Sequence, residues 1–340
     1  MLLKKNVITG NKGDGKLKTR KLGSSPLNLS TVGLGTWPMA GTDRFGWGLQ
    51  DDKVSINTIH HALDLGVNWI DTAPIYGVGH AEEVVGKALK GLSKKPLIAT
   101  KALFMWKPDK TTILVRLDRE RVRQQCEMSM QRMGIDFIDM YMIHWPDPVV
   151  YVEEAWETLT ELVKEGKVGY IGVSNFSIEQ LEMVKPIHPV AFLEPPYSML
   201  ERGAENGLLE YCGKNNIGVI TYSSLQQGLL SGGTIDINKL TPKDVRRTSP
   251  HFKEPEYGIN LKLGTELAAF AKNCGHTAAQ LGLAWNLRRT EVTSAITGPR
   301  TPAEIEDSSK AAEWQLTTEE IAALEKILMK RQEALKAAGK

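Results

Sequence analysis

The chain has 340 residues, room for two average domains or for one α/β barrel with insertions. Its 41% hydrophobic and 24% charged residues are those of an ordinary globular protein, and a net charge of only +2 excludes a general pull on nucleic acid or acidic membrane. No stretch approaches a membrane span or a signal-peptide core, and Cys126, Cys212 and Cys274 are too scattered for a disulfide framework or zinc knuckle, so a reduced, cytoplasmic setting is expected.

Residues 1–21 carry seven basic side chains against Asp14 alone, a net +6 (7 − 1), which leaves −4 (2 − 6) on the remainder. Residues 1–16 are expected to form a basic, frayed leader, and residues 17–335 a single domain. The segment "LKTRKLGSSPLNLS" (17–30) places a Gly-Ser-Ser-Pro turn between two short alternating stretches, the pattern of a small hairpin. Short apolar runs then read as strands: "TVGLGT" (31–36), "VNWID" (67–71), "PLIATK" (96–101), "DFIDMYMIH" (136–144), "VGYIGVS" (168–174), "VAFLE" (190–194), "IGVITYS" (217–223) and "VTSAIT" (292–297). Helical spacing lies between them: Val122, Cys126, Met130 and Met133 share one face, as do Val152, Ala155, Trp156, Leu159, Leu162 and Val163. Near-continuous apolar strands alternating with helices predict a parallel sheet buried on both sides. Eight such units favour a closed (β/α)8 TIM barrel, with an N-terminal hairpin and a C-terminal helix, over an open doubly wound sheet. Two connections, 102–116 and 229–258, are too long for simple turns and read as functional or disordered segments.

In a parallel barrel the chemistry gathers where strands end. The second strand ends at Asp71, with Tyr76 five residues on; the third ends at Lys101; the fourth ends at His144, where Pro146 stops the ladder. A carboxylate, a phenol, an ammonium and an imidazole in one mouth suit proton transfer to a carbonyl oxygen. A phenol with a pKa near ~10 is a weak acid at neutral pH. A buried ammonium beside it stabilises the phenolate and lowers that value, a carboxylate holds the ammonium, and the imidazole supplies a second donor to the oxygen. The seven histidines show neither His-x-His nor His-Glu-x-x-His spacing, so no metal is expected.

The motifs "GLGTW" (33–37), "DTAPIYG" (71–77), "ATK" (99–101), "IHWPD" (143–147), "GVSNF" (172–176), "PPYS" (195–198), "TYSSLQQGLLSG" (221–232) and "TGPRTPAEIED" (297–307) occur in order, and over roughly residues 17–330 the chain resembles the aldo-keto reductase superfamily. "HWPD" and "PPY" are similar to the bacterial branch that includes the general-stress and inositol-locus reductases. The resemblance implies reversible hydride transfer between NADP(H) and a small-molecule aldehyde, ketone or alcohol. Tyr76 would be the general acid/base, Asp71 and Lys101 its tuning pair, and His144 the substrate orienter. Trp37, Trp106 and Trp145 would wall the substrate pocket. On the cofactor side it implies Thr36 and Trp37 near the nicotinamide, Ser174, Asn175 and Glu194 around its carboxamide, and Tyr222 stacked on its ring. Ser223, Leu225 and Gly228 would grip the pyrophosphate, with Gly298, Arg300 and Glu304 at the adenosine end. Arg300 suits a 2′-phosphate and so implies NADPH over NADH. No G-x-G-x-x-G is present to suggest a Rossmann site.

Glu194 departs from the family's usual glutamine. An ionised carboxylate roughly 6 Å from the ring would favour the cationic oxidised nicotinamide by about 1–3 kcal/mol at an effective dielectric near 20, whereas a Glu194 that is protonated or paired with a nearby base would not. The same resemblance leaves open a second reading, a cofactor-binding regulatory barrel like the potassium-channel β subunits, which keep Asp, Tyr, Lys and His at the corresponding places. No feature of the sequence specifies the physiological substrate or the oligomeric state.

Overall fold

The structure, a computed structural model, describes residues 17–42, 45–232 and 235–340; the basic leader lies outside them. Twelve strands are present among these residues: β1 (Thr19–Lys21), β2 (Asn28–Ser30), β3 (Val32–Gly35), β4 (Trp69–Asp71), β5 (Leu97–Ala102), β6 (Phe104–Trp106), β7 (Ile113–Val115), β8 (Ile138–Ile143), β9 (Val168–Ser174), β10 (Phe192–Glu194), β11 (Gly218–Thr221) and β12 (Val292–Thr297). Eight of them close a parallel barrel in the order β3-β4-β5-β8-β9-β10-β11-β12, with β12 returning to pair with β3. The helices are α1 (Asp52–Asp64), α2 (His80–Leu89), α3 (Arg119–Met133), α4 (Val152–Lys164), α5 (Ile178–Val184), α6 (Leu208–Lys214), α7 (Glu256–Asn273), α8 (Ala278–Leu287), α9 (Pro302–Ser309) and α10 (Thr318–Ala337). The expected barrel, hairpin and C-terminal helix are therefore all present.

The two expected helical faces are the buried ones. On α4, Val152, Ala155, Trp156, Leu159 and Leu162 pack inward. On α3, Val122, Cys126 and Met133 do so, started by the Asp118 carboxylate accepting from Arg121 N–H and ended by left-handed Gly134. Inside the barrel, Trp69, Met140, Met142, Phe192 and Ile220 form one apolar cluster. Space for the two largest rings comes from glycines on neighbouring strands: a Cβ at Gly33 would lie 2.1 Å from the Trp69 ring, and one at Gly172 2.5 Å from the Phe192 ring. Antiparallel β1 and β2 close the bottom, with Leu22 and Leu29 buried in the same cluster. Gly23, at φ +52, lets the turn meet the β10–β11 backbone, since a Cβ there would stand 2.4 Å from Gly218 N.

Both long connections are ordered where described. After β5 the chain forms the antiparallel hairpin β6–β7 rather than an irregular loop. After β11 it winds through short 3₁₀ turns at Ile237–Lys239, Val245–Arg247 and Pro250–Phe252. The Arg247 guanidinium ties this segment down by donating to the Leu240 and Thr241 carbonyls. No helix among the described residues is long and apolar enough to cross a membrane.

Candidate active site

Register brings the strand-end groups together. Asp71 on β4 pairs with Ala99 on β5, so Lys101 lies two residues further along on the same, inward face. Lys101 in turn pairs with Met142 on β8, and His144 follows that strand, its N–H bonded to Ala102 O at 3.0 Å. The Lys101 ammonium, 1% exposed, donates to the Asp71 carboxylate and, at 3.1 Å, to the Thr72 carbonyl. Its nitrogen stands 5.3 Å from the centre of the Tyr76 ring. The Tyr76 ring meets Trp37 edge-on at 4.9 Å and His144 at 6.1 Å, and His144 meets Phe104 at 5.4 Å. Asp71, Tyr76, Lys101 and His144 thus converge, and all but the sealed lysine line one cavity of about 880 Å³.

The charges in this floor set one another. Burial pulls the Lys101 ammonium down, but the Asp71 and Glu194 carboxylates outweigh it and hold the lysine well above its ordinary range. Burial pushes the Tyr76 phenol up; Lys101 opposes this by charge and hydrogen bonding, while Asp71 and Glu194 reinforce it. The net direction is upward, contrary to the expectation that the ammonium alone would prevail. Burial, then the Lys101 charge, holds His144 far below the usual imidazole range, so the ring is neutral. Burial raises Asp71 as well, against the pull of Lys101.

Glu194 lines the cavity beside Lys101. Its Oε1 lies 3.5 Å from Lys101 Nζ, and burial, then the Asp71 charge, pushes its carboxyl up to about 8. Both causes favour the protonated carboxyl, which weakens the electrostatic preference for a cation that an ionised Glu194 would give.

The remaining expected positions divide. Ser174, Asn175, Tyr222, Ser223, Leu225, Gly228, Gly298, Arg300 and Glu304 all line the cavity, as do Trp37 and Trp145. Asn175 donates to the His144 carbonyl at 3.0 Å and to Ser174 Oγ at 2.9 Å, and its own Oδ1 accepts from the Tyr222 hydroxyl at 2.7 Å. Ser223 (φ 56), Gln226 (φ 44), Gln227 (φ 54) and Gly228 (φ 98) curl the backbone into the type of concavity that binds anions. Thr36 is buried behind the cavity, its hydroxyl donating to the Asp71 carbonyl at 3.0 Å, so it braces β4 instead of lining the site. Trp106 is also not among the lining residues. The β6–β7 hairpin carries it over to α3, where the Arg132 guanidinium lies 5.2 Å from its ring, and Phe104 takes the expected place at the wall.

Arg300 does more than face the cavity. Its guanidinium donates to Gln50 Oε1 at 3.0 Å, Trp47 O at 3.4 Å and Leu49 O at 2.6 Å, binding the segment before α1 to the start of α9. Glu304 accepts from the Arg300 N–H at 2.6 Å. Across from them Arg246, held by both Asp244 oxygens at 2.9 and 2.7 Å, lies 5.3 Å from the Trp47 ring. Sequence reasoning missed Phe45, Trp47, Phe104 and Arg246 as lining residues. They lie in connections or beyond a strand end, where neither periodicity nor the motifs fix a direction. No group of three or more His, Cys, Asp or Glu among the described residues is placed to hold a metal ion.

Residues 31–329 match the model of the aldo/keto reductase family. The chain is 38% identical to aldo-keto reductase YhdN of Bacillus subtilis (strain 168) over 297 residues, covering 86% of this chain and 88% of that one. It is 33% identical to the NADH-specific methylglyoxal reductase of Escherichia coli (strain K12) over 316 residues, covering 88% and 95%. The solved structure of a glycerol dehydrogenase from Gluconobacter oxydans superimposes with a TM-score of 0.83 at 34% identity, covering 92% of this chain and 95% of that one. With the barrel, the convergent strand ends and a match over nearly its whole length, this chain belongs to the aldo/keto reductase family.

Proposed function

We propose that the chain reduces an aldehyde or ketone to the alcohol, reversibly and with NADP(H), and that Tyr76 is its general acid/base. The observation that carries this reading is the buried Asp71–Lys101 pair set against Tyr76 and His144 at the floor of the cavity. The residues present fit a nicotinamide dinucleotide. Buried polar atoms without a partner among the described residues, including His144 Nδ1, Glu194 Oε2 and Gln227 Oε1, belong to cavity-lining residues, and the curled 223–228 backbone suits a pyrophosphate. Ser174, Asn175 and Tyr222 would hold the nicotinamide end and Gly298, Arg300 and Glu304 the adenosine end.

When bound, a reduced nicotinamide dinucleotide would supply the hydride. Tyr76 then delivers its hydroxyl proton to the carbonyl oxygen, and the Lys101 ammonium stabilises the phenolate left behind. Asp71 and the Thr72 carbonyl fix where that ammonium points. Neutral His144 carries a single N–H, which serves as a second donor to the same oxygen and sets the substrate's direction. Trp37, Ile75, Phe104 and Trp145 form the wall beside Tyr76 and His144, so an uncharged, largely apolar carbonyl compound suits this end better than a phosphorylated or acidic one.

The Escherichia coli relative is NADH-specific, so family membership leaves the cofactor preference open. Our reading is NADP(H), because two arginines, Arg246 and Arg300, line the adenosine end and Arg300 has N–H groups beyond those given to Gln50, Trp47 and Leu49. Two dissociation constants, for NADPH and NADH, follow from quenching of tryptophan fluorescence, with Trp37 and Trp47 at the cavity as reporters. Arg300→Ala is expected to cut the preference for NADPH by about tenfold or more, the worth of one charge-assisted phosphate contact. An unchanged ratio removes Arg300 from the 2′-phosphate role. Loss of the reduced cofactor's near-ultraviolet absorbance with a panel of aldehydes tests the reductase reading itself.

A further inference from the structure

The proposed chemistry uses Asp71 and leaves a second buried carboxyl beside the same lysine. Glu194 ends β10, in register with Ser174 of β9, and is 2% exposed. Its Oε1 faces Lys101 Nζ at 3.5 Å, and its Oε2 is buried with no partner among the described residues. The titratable groups around it come from three other strands: Asp71 and Tyr76 from β4 and its loop, Lys101 from β5, and Tyr222 after β11, whose hydroxyl is taken by Asn175. Two carboxylates against one ammonium, all nearly buried at the floor of the cavity, would leave an uncompensated negative charge, so one acid keeps a proton. Asp71 makes the closer contact with Lys101, which makes Glu194 the holder.

We propose that Glu194 is a positioning residue for Tyr76: it holds the surplus proton of this two-acid, one-base cluster, and losing that proton weakens the support Lys101 gives the Tyr76 phenolate. With its proton, Glu194 presents one donor and one acceptor, as the amide of glutamine would. Without it, a second negative charge competes for Lys101 and repels a phenolate. Alcohol oxidation, which needs Tyr76 as a base, is then damped in alkaline solution. This catalytic consequence rests on the reductase reading; the location of the proton does not.

Two measurements on the full chain test it. The first is difference infrared spectroscopy between about pH 6 and about pH 10, either side of the Glu194 transition. Wild type is expected to show a carboxylic-acid C=O band that disappears at the higher pH, and Glu194→Gln is expected to lack it. Absence of such a band from wild type alone overturns the proposal, so the result does not depend on the variant folding. The second is the pH profile of kcat/KM for alcohol oxidation. In Glu194→Gln, and equally in Glu194→Leu, the alkaline rise is expected to move down by about one pH unit, roughly what one neighbouring charge contributes at an intermediate dielectric. Coincident profiles overturn the positioning role. Should no variant or wild type oxidise any alcohol, the reductase reading falls and the positioning role with it, while the infrared band still decides where the proton resides.

Discussion

Tyr76→Phe is expected to lower kcat for carbonyl reduction by about 10²–10⁴-fold while changing the cofactor dissociation constant little. Phenylalanine keeps the edge-on packing against Trp37 and removes only the hydroxyl with its hydrogen bond to Lys101. The lost rate is therefore that of proton transfer, not of a collapsed site. Because Tyr76 is held above the ordinary phenol range by burial against the opposing pull of Lys101, it stays protonated through neutral pH. Wild-type reduction is accordingly expected to show no decline from Tyr76 ionisation across that range. Steady-state kinetics together with fluorescence quenching by NADPH measure both quantities. Retention of wild-type kcat in the variant would remove Tyr76 as the acid.

Lys101→Met is expected to abolish turnover to a similar extent and also to destabilise the fold by about 3–5 kcal/mol, the usual cost of stripping one partner from a buried ion pair. Methionine matches the volume, so the cost comes from Asp71 and Glu194, both within reach of the ammonium in wild type. The sign of the pH dependence follows from their shifts. Both acids lie above their unfolded values, chiefly through burial. A group shifted that way contributes stability in acid that is lost as pH rises through its folded pKa, about 8 for Glu194. Without the opposing ammonium, the variant loses most in alkaline solution. Urea unfolding at several pH values reads this directly; a variant as stable as wild type at alkaline pH would mean that the cluster is not charged as described.

Much of this was legible in the sequence because periodicity carries the information. VGYIGVS and VTSAIT are strands over the whole of their expected lengths, since each residue continues an apolar, β-branched or small-residue run. The run 217–223 stops earlier, at Thr221: Tyr222 makes only an isolated bridge to Pro196, and Ser223 turns left-handed at φ 56. The meeting of Asp71, Lys101 and His144 followed from strand ends alone, because the parallel register brings successive strand ends to the same mouth, each group two residues beyond its neighbour's partner. Trp106 was misplaced because a side chain beyond a strand end inherits no direction from the barrel; its own hairpin aims it at Arg132. Arg300 was readable as a cationic group near the adenosine end but not as a clasp on residues 47–50, since those partners are about 250 residues away in the chain. Glu194 was readable as a departure from glutamine, while its protonation depends on how closely Lys101 and Asp71 approach, which no linear pattern states.

The most direct test of the central claim is a crystal structure with oxidised cofactor and an unreactive carbonyl analogue in the cavity. The account predicts the analogue's oxygen within about 2.6–3.2 Å of both the Tyr76 hydroxyl and a His144 ring nitrogen, with Lys101 still bound to Asp71 behind them. An oxygen that faces neither group, or a Tyr76 hydroxyl turned away from the bound nicotinamide, would contradict it.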